Sequence, residues 1–186
     1  MSRIFGERIM LREYKKEDLK HMRDWVNDPE IVDNLSDLFL YPHTITETEY
    51  FLHMILEGKS DTQKNFIIAD KQTEEYIGQI DIIAIDWKNR TAEMSIVIGK
   101  KELLNNGIGT EAINLLQHFV FEKLNLNRLQ LSVHDYNQRA YRCYIKCGFV
   151  EEGRFKQSFY LNGQYSDTIY MAILRDEYYK LTQDYN

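Results

Sequence analysis

NQRAYRCYIKCGFVEEG, residues Asn137 to Gly153, predicts a helix that is followed directly by a strand. The helix covers NQRAYRCYIKC, and the strand begins in GFVEEG and continues through RFKQSFYL. The pair Asn162-Gly163 comes next, and it is typical of a type I′ turn because both residues accept a positive φ. QYSDTIYMAIL then predicts a second strand, so the chain carries a helix followed by a β-hairpin in its last third.

A glycine-rich loop opens another helix upstream, in NNGIGTEAINLLQHFVFEKL, residues Asn105 to Leu124. The first backbone N–H groups of a helix have no partner within it and lie at the positive end of its dipole. Gly107 and Gly109 allow an anion to approach these groups closely, so the loop predicts a phosphate site. A tight turn without a ligand is the alternative that two glycines alone leave open.

Two other phosphate motifs fit this loop less well. A P-loop needs a lysine before its Ser or Thr, whereas Thr110 follows Gly109 directly. The dinucleotide fingerprint matches residues 107–112 letter for letter, but it requires the first glycine directly after a strand within a βαβ unit. Here the preceding strand is predicted to end near Ile98, after antiparallel strands.

The middle of the chain predicts strands in NFIIAD, YIGQIDIIAID and TAEMSIVIG, which are rich in β-branched and apolar residues. Turns lie around Gln72–Glu75 and Asp86–Arg90, so the two longer strands should pair as an antiparallel hairpin. NRLQLSVHD predicts a strand after the glycine-loop helix, which gives a parallel βα crossover. The predicted fold class is α/β, with a mixed, mostly antiparallel sheet flanked by about four helices.

The first part of the chain predicts a strand near Arg8–Tyr14 and a helix near Lys16–Val26, which Asn27–Pro29 ends. A second helix should begin at Thr46, with Glu49 completing a capping box. The residues that define its inward face and its end are Phe51, Met54, Ile55 and Gly58.

Composition narrows the class of protein. The 186 residues predict one domain, residues 1–186. The formal net charge of −6 argues against a nucleic-acid partner, and no run approaches the roughly 18 apolar residues that a membrane span needs. The five histidines show no metal-ligand spacing, so no metal is expected. Cys143 and Cys147, four apart on one predicted helix, favour reduced thiols and hence the cytoplasm.

The helix motif and the glycine loop together resemble the GNAT superfamily of acetyl-CoA-dependent N-acetyltransferases. The resemblance covers about Arg8 to Leu174 and rests on N-x-x-A-x-x-x-Y-x-K-x-G-F from Asn137 to Phe149, on the glycine loop and on TAEMSIVIG. The family's phosphate loop is usually Q/R-x-x-G-x-G/A, and Leu104 here replaces the polar first residue. This replacement removes a side-chain contact but not the backbone amides.

Within the superfamily, the chain looks most similar to the spermidine-type polyamine acetyltransferases and to relatives that act on protein N-termini. GFVEEGRFKQSFYLNGQYSDTIYM carries this resemblance. NLSDLFLYPHTITETE departs from it, because this segment is longer and less acidic than the polyamine-binding segment of those enzymes.

The resemblance implies that acetyl-CoA binds where two central strands splay apart. Its pantetheine arm would pair with backbone groups as an added strand does, and a strand N–H would polarise the thioester carbonyl. Asn137 would bond the arm from the other side, while Lys146 would reach a phosphate or remain solvated. The residues implied in cofactor binding are Ile96, Val97, Ile98, Leu104, Asn105, Asn106, Gly107, Ile108, Gly109, Thr110, Asn137, Tyr144 and Lys146.

Acetyl transfer to an amine needs a proton acceptor and a proton donor. A lysine-like amine has a pKa of about 10.4, so freeing its lone pair at pH 7 costs about 4.6 kcal/mol. The resemblance places Glu93 as a catalytic or substrate-facing acid, so it is the candidate base, or else a carboxylate that only attracts the cation. Tyr144 occupies the family's general-acid position and would protonate the coenzyme A thiolate. Tyr141 is its rival, and a core aromatic role is the other alternative.

Asp81 is a second acid that the hairpin brings toward this site. If the hairpin is centred on Trp87, Asp81 lies directly opposite Glu93 on one face of the sheet. Two like charges at that distance raise at least one pKa. A register change of one residue would instead place them on opposite faces. Asp81 and Glu93 are therefore the candidate substrate-binding residues.

The predicted function is direct transfer of acetyl from acetyl-CoA to a primary amine in a ternary complex, most simply to a polyamine or diamine such as spermidine. An amino sugar, an aminoglycoside and a protein N-terminus are alternative acceptors. A non-catalytic coenzyme A-binding sensor is the alternative of another class. Four further acids either line a cationic pocket or serve as caps and surface charges: Asp33, Asp37, Glu47 and Glu49.

The last two strands offer a candidate surface for a homo-oligomer, a dimer or larger. Phe155, Phe159 and Tyr165 are the aromatic residues that would form it.

Overall fold

Eight strands form one sheet in residues 3–183, the part of the chain that this computed structural model describes. The strands are β1 (Ile4–Phe5), β2 (Ile9–Arg12), β3 (Lys64–Asp70), β4 (Tyr76–Asp86), β5 (Thr91–Ile98), β6 (Arg128–His134), β7 (Val150–Leu161) and β8 (Gln164–Leu174). Their spatial order is β1-β2-β3-β4-β5-β6-β8-β7. All neighbouring pairs are antiparallel except β5 and β6, which are parallel. The predicted mixed, mostly antiparallel α/β class is confirmed.

Six α-helices lie in the same described range, where the sequence indicated about four. They are α1 (Leu19–Trp25), α2 (Pro29–Val32), α3 (Ile45–Glu57), α4 (Ile108–His118), α5 (Gln138–Lys146) and α6 (Arg175–Gln183). The sequence did not predict α2 and α6. The predicted helix that ends at Leu124 is α4 continued by a π-helical turn at Phe119–Lys123.

The N-cap of α3 was predicted two residues too late. Thr44, not Thr46, is the N-cap, and its capping box closes with Glu47 rather than Glu49. Both Thr-x-x-Glu pairs satisfy the motif, but Arg23 Nη1 fixes the entry by donating to the carbonyl oxygens of residues 43 and 44 at 2.9 and 3.1 Å. The predicted inward face was also wrong at two positions, since Phe51 and Met54 are exposed, while Thr48 and Leu52 are buried.

The first helix also differs in detail. A 3-10 turn at Lys16–Asp18 precedes α1, so the regular helix is shorter than predicted. Pro29 does not simply end it, because Pro29 is the first residue of α2 with Asp28 as N-cap. Proline suits this position since the missing N–H would have no partner there. The predicted hairpin turn was correct: Asn162 and Gly163 have φ of 50° and 85°.

Helices cover both faces of the sheet. On one face, Ile113 and Leu116 of α4 and Tyr144 of α5 pack against Ile80 and Ile82 of β4. On the other face, α1 and α3 pack through Met22, Trp25 and Leu52 against β3 and β4. Burial of apolar side chains on both faces stabilises the sheet as the central layer.

The two parallel strands at the centre separate from one another along their length. β5 and β6 pair only through Thr91–Glu93 and Arg128–Gln130, at the start of each strand. The remaining halves, Met94–Ile98 and Leu131–His134, diverge and leave a wedge between them. The predicted splay of the central strands is thus confirmed, and it positions the site described next.

The predicted pairing of Asp81 with Glu93 was wrong. Asp81 lies opposite Ser95, and Glu93 lies opposite Ala84, with a bulge between Ile82 and Ala84. The turn between the strands covers residues 87–90, which shifts the pairing beside it by three residues from the symmetric register, and the extra residue of the bulge reduces the shift to two beyond it. Because Ser95 and Glu93 are two apart on β5, Asp81 and Glu93 still share a face of the sheet.

Candidate active site

A cavity of about 900 Å³ opens in the wedge between β5 and β6. Most of its wall residues come from four parts of the chain: β4 and β5 (residues 79–83 and 93–98), the loop and helix start at 103–110, residues 132–134 of β6 together with α5, and the segment 34–39. The predicted cofactor residues line this cavity with one exception, since Asn106 is not part of its wall. Predicted residues from segments far apart in the chain therefore line one cavity.

The glycine loop turns sharply into α4. Gly107 is the N-cap with φ +79°, and Asn105 also adopts a left-handed conformation with φ +62°. Gly and Asn adopt these conformations easily, so Asn105 suits the turn. The first N–H groups of α4 consequently point out of the helix at a wall of the cavity.

Arg8 braces this loop from outside. Its Nη1 donates to the Asn106 carbonyl oxygen at 2.7 Å, and its Nε donates to Glu111 Oε2 at 3.1 Å. The other Glu111 oxygen accepts from the Arg8 backbone N–H at 2.9 Å. These bonds lower the pKa of Glu111 although burial opposes them, and they fasten the loop to β2. The loop is thus preorganised for a ligand.

Helix α5 brings basic side chains to the same part of the cavity. Arg139, Arg142 and Lys146 line it, and their spacing of three and four places them on one helix face. Cys143, between them, lies 3.5 Å from the Thr110 hydroxyl at the start of α4. Only Lys146 was predicted from the sequence. The i, i+3, i+7 spacing of the three bases also indicates that Arg139 and Arg142 share its helix face. Amides and cations together suit a polyphosphate.

Tyr144 and Tyr141 have different surroundings. Tyr144 lines the cavity, is 8% exposed and contacts Phe149 edge-on at 6.0 Å, and burial raises the pKa of its hydroxyl. The Tyr141 hydroxyl instead donates to Glu151 Oε2 at 3.2 Å. Of the two rivals, only Tyr144 presents its side chain to the cavity, and its raised pKa keeps the proton on oxygen at neutral pH.

Asn137 begins α5 as its N-cap. Its Oδ1 accepts from the Ala140 N–H at 3.2 Å. This bond orients the amide and leaves the Nδ2 donors for another partner at the cavity wall.

Asp81 is a buried acid in the cavity wall. It is 6% exposed, and its Oδ1 accepts from the Tyr14 hydroxyl and the Phe66 N–H, both at 3.2 Å. Burial raises the pKa of Asp81 to about 7, while bonds from Asn65, Phe66 and Tyr14 oppose the rise. The direction agrees with the prediction, but the cause is loss of water and not a like charge from Glu93.

Glu93 and Asp37 add carboxylates to the walls formed by β5 and by the turn at Asp37–Phe39. With Asp81 they make this part of the cavity acidic, whereas the part beside α5 is basic. Of the four further acids named from the sequence, Asp37 alone lines the cavity. The others have structural contacts or face solvent; Glu47, for example, is the capping-box acid.

The wall beside residues 34–39, called here the acceptor-side wall, also contains two residues that were not predicted to lie in the cavity. His134, at the end of β6, stacks on Phe159 with ring centroids 3.8 Å apart. Phe159 was expected on an oligomer surface, but an irregular stretch of β7, in which Gln157 has φ +51°, turns it into the cavity wall. Phe159 thus lies in the cavity wall, and the oligomer surface named from the sequence stays a prediction.

Two structural features are absent from residues 3–183. Within that range, no cluster of three or more His, Cys, Asp or Glu side chains has the arrangement that holds a metal ion. In the same range, no helix has the length and apolarity needed to cross a membrane. Cys143 and Cys147 are free thiols. A hydrogen bond from Cys147 lowers the pKa of Cys143.

A wedge between splayed strands, a glycine-loop helix start and a buried tyrosine define an acetyltransferase of the GNAT type. Residues 8–150 match the acetyltransferase (GNAT) domain, and the chain belongs to this family. It is an N-acetyltransferase that uses acetyl-CoA as its acetyl donor.

Two similar proteins, one of them also through its crystal structure, place the chain within the family. Spermidine N(1)-acetyltransferase of Vibrio cholerae is 30% identical over 174 residues, which are 93% of this chain and 96% of that protein. The putative ribosomal N-acetyltransferase YdaF of Bacillus subtilis is 34% identical over 101 residues, 54% of this chain and 55% of that one. The crystal structure of the Vibrio cholerae spermidine N-acetyltransferase with CoA and spermine matches with a TM-score of 0.81 and 28% identity, over 94% of this chain and 99% of that one.

Proposed function

We propose that this enzyme transfers the acetyl group of acetyl-CoA to a primary amine of a small polyamine, such as spermidine. The observation that carries the proposal is the division of one cavity into a basic part beside α5 and an acidic part beside β4 and β5. A polyanionic donor and a polycationic acceptor fit these two parts. The similarity to spermidine acetyltransferases over most of the chain supports the same acceptor class.

Acetyl-CoA would bind by its pyrophosphate to the amides that begin α4, at Gly107 to Thr110, with Lys146 nearby. The pantetheine arm would pair with the free edge of β5 at Ile96, Val97 and Ile98, where β6 no longer supplies a partner. A β5 N–H would then polarise the thioester carbonyl. Asn137 Nδ2 would hold the arm from the α5 side.

The amine would attack the thioester carbonyl directly, in a ternary complex. Glu93 would accept the amine proton, and Asp81 would attract the remaining cationic part of the acceptor. The C–N bond forms as the nitrogen lone pair adds to the carbonyl, and the C–S bond breaks as the tetrahedral intermediate collapses. Tyr144 would donate its proton to the departing thiolate, and the proton that the nitrogen loses as the amide forms would restore it through water. Glu93 would return the first amine proton to solvent, so the products are the acetylated amine, coenzyme A and one released proton.

An amine panel tests the proposal. Coenzyme A release would be measured with spermidine, putrescine, glucosamine, an aminoglycoside and a peptide with a free N-terminus. We expect the highest kcat/KM with spermidine. Highest turnover with the peptide would replace the polyamine by a protein N-terminus as the acceptor. Acetyl-CoA binding without turnover on any amine would favour the sensor alternative.

The extent of the domain, the cellular location and the oligomeric state are part of the same proposal. The domain spans residues 1–186, of which 1, 2 and 184–186 lie outside the described residues. Reduced Cys143 and Cys147 support a cytoplasmic location. The exposed rings of Phe155 and Tyr165 on β7 and β8 support a homo-oligomer formed through this hairpin.

A further inference from the structure

His134 is fixed rigidly at the acceptor-side wall of the cavity. Its Nε2 lies 3.1 Å from the Leu35 carbonyl oxygen. Its ring stacks on Phe159 at 3.8 Å with an interplanar angle of 24°, and on Tyr136 at 5.4 Å with an angle of 13°. A hydrogen bond and two ring contacts therefore determine where both ring nitrogens lie.

The contact with Leu35 determines the tautomer. A carbonyl oxygen can only accept a hydrogen bond, so Nε2 carries the hydrogen. In the neutral ring Nδ1 is then the acceptor, with its lone pair in the ring plane. The tautomer thus follows from a contact with the segment that forms the cavity wall.

Nδ1 is buried and has no hydrogen-bond partner among residues 3–183. Buried polar atoms are nearly always hydrogen-bonded, and each exception calls for an explanation. His134 lines the cavity, and side chains commonly move when a ligand binds, so a ligand that shifts the neighbours of Nδ1 is the natural partner for this buried atom. The partner must bring a donor, since Nδ1 is an acceptor.

The acetyl donor and the amine acceptor differ in the hydrogen-bonding groups that they can present to Nδ1. In the proposed binding mode the pantetheine amides are used in pairing with β5, and the thioester brings only a carbonyl acceptor. An amine brings N–H donors, and Asp37 on the same wall favours its cationic form. The unpartnered acceptor therefore matches the amine and not the donor coenzyme.

We infer that His134 is a specificity-determining residue, whose Nδ1 accepts a hydrogen bond from an N–H group of the amine acceptor. This inference rests on the proposed function for the identity of the acceptor. The bond orients the acceptor without taking its proton. Nothing in the sequence pattern singled out His134, because its role depends on a contact with Leu35, 99 residues away in the chain.

Two substitutions separate the two nitrogens. In His134→Gln the side-chain amide reaches the Nε2 position and can keep the Leu35 bond, but the acceptor at Nδ1 is lost. In His134→Asn the amide occupies the Nδ1 position, so an acceptor is retained and the Leu35 bond is lost. We expect His134→Gln to raise KM for spermidine about tenfold or more, the usual effect of losing a hydrogen bond to a charged group. KM for acetyl-CoA should stay within twofold, and His134→Asn should recover part of the spermidine affinity.

His53→Gln is the matched control, since this histidine is exposed on α3 and pairs with Glu57 at 3.5 Å. It should leave both KM values unchanged. A His134→Gln enzyme with wild-type KM for spermidine would overturn the inference. Equal rises in KM for both substrates, with a lowered Tm, would also overturn it, because they indicate a purely structural role.

A binding measurement keeps the inference distinct from the proposed function. Spermidine would be added to wild-type protein without acetyl-CoA, and the ¹⁵N resonance of His134 Nδ1 would be followed, assigned by its absence in His134→Gln. A shift of this resonance without turnover on any amine would support the inference and reject the proposed function. Normal spermidine turnover with an unshifted resonance would do the reverse. Failure of both measurements would reject both.

Discussion

Two tyrosines on one helix show how contacts assign chemistry at the scale of a residue. Tyr141 and Tyr144 are three apart on α5, but the Tyr141 hydroxyl is engaged by Glu151 while Tyr144 lines the cavity. Composition cannot separate them, since the chain contains 13 tyrosines. Burial raises the pKa of the Tyr144 hydroxyl, so its proton stays on oxygen until the thiolate forms beside it.

Tyr144→Phe should lower kcat about 100-fold, with little change in either KM. The reason is that a general acid contributes on the order of 10²-fold to 10⁴-fold to a rate. Steady-state kinetics of coenzyme A release provide the measurement. Tyr141→Phe is the control and should retain kcat within about twofold. Comparable losses in the two variants would remove the assignment of Tyr144.

Asp81 should make stability and amine binding depend on pH. Its folded-state pKa, raised by burial from 3.8 to about 7, favours the protonated form, so its contribution to stability is present below pH 3.8 and is lost as pH rises through 7. Asp81→Asn should therefore gain stability over wild type between pH 5 and pH 8, by a few kcal/mol at most, at about 1.36 kcal/mol per pH unit. Thermal unfolding across this range measures the difference.

The same titration should appear in catalysis. Below pH 7 the Asp81 carboxyl is protonated and no longer attracts a cation, so wild-type KM for spermidine should rise as pH falls. In Asp81→Asn this rise should flatten. Parallel pH profiles for the two proteins would contradict the role of Asp81 in acceptor binding.

At the scale of an element, the start of α4 combines backbone geometry with binding. Gly107→Ala should lower Tm and raise KM for acetyl-CoA about tenfold, because φ +79° strains any residue with a Cβ and displaces the loop amides. The new Cβ meets only the end of the Arg8 side chain, at 3.2 Å, so steric conflict is minor.

Gly58→Ala is the control for backbone strain alone. Gly58 caps α3 with φ +62° and has no atom within 4 Å of an added Cβ. It should lower Tm by a similar amount, with a cost of about 1–2 kcal/mol, and leave KM for acetyl-CoA unchanged. A rise in KM in both variants would show that lost stability, and not loop geometry, is responsible.

Elements with a strong local signal were predictable, whereas their exact register was not. The glycine loop and the Asn162-Gly163 turn depend on residues that accept positive φ, so the sequence identified them. The bulge beside Ile82 depends on how β4 pairs with both its neighbours, and the choice of Thr44 depends on Arg23 from another helix. Both are tertiary effects that local pattern does not contain.

In the whole molecule, site residues within a local motif were likewise predictable from the sequence, whereas those that depend on tertiary packing were not. Residues within the two linked motifs, such as Gly107 and Tyr144, were predicted because the motif fixes their spacing. His134 was missed because only the packing of β6 around the wedge brings it to the cavity, whereas the helical spacing of Arg139 and Arg142 with Lys146 was present in the sequence. Phe159 was assigned to an oligomer surface, but the irregular course of β7 places it in the cavity wall.

An oligomer formed through the β7–β8 hairpin is a prediction for the whole molecule. Replacing both Phe155 and Tyr165 with Ser should shift the sedimentation coefficient to that of a monomer, because 60% and 66% of these side chains are exposed on one hairpin. Tyr50→Ser, at an equally exposed tyrosine on α3, should not change it. An unchanged coefficient in the double variant would exclude this surface.

Because β5 and β6 pair over only three residues each, the free energy of unfolding of this protein depends in part on bound coenzyme A. Backbone groups of Ser95–Ile98 find no partner strand on the β6 side, so the coenzyme supplies hydrogen bonds that most sheets supply themselves. Ligand at 100 times its Kd stabilises a folded chain by about 2.7 kcal/mol. Amide exchange at Ser95–Ile98 should slow when coenzyme A binds. The abundance of this enzyme in a cell would then follow the level of its own donor.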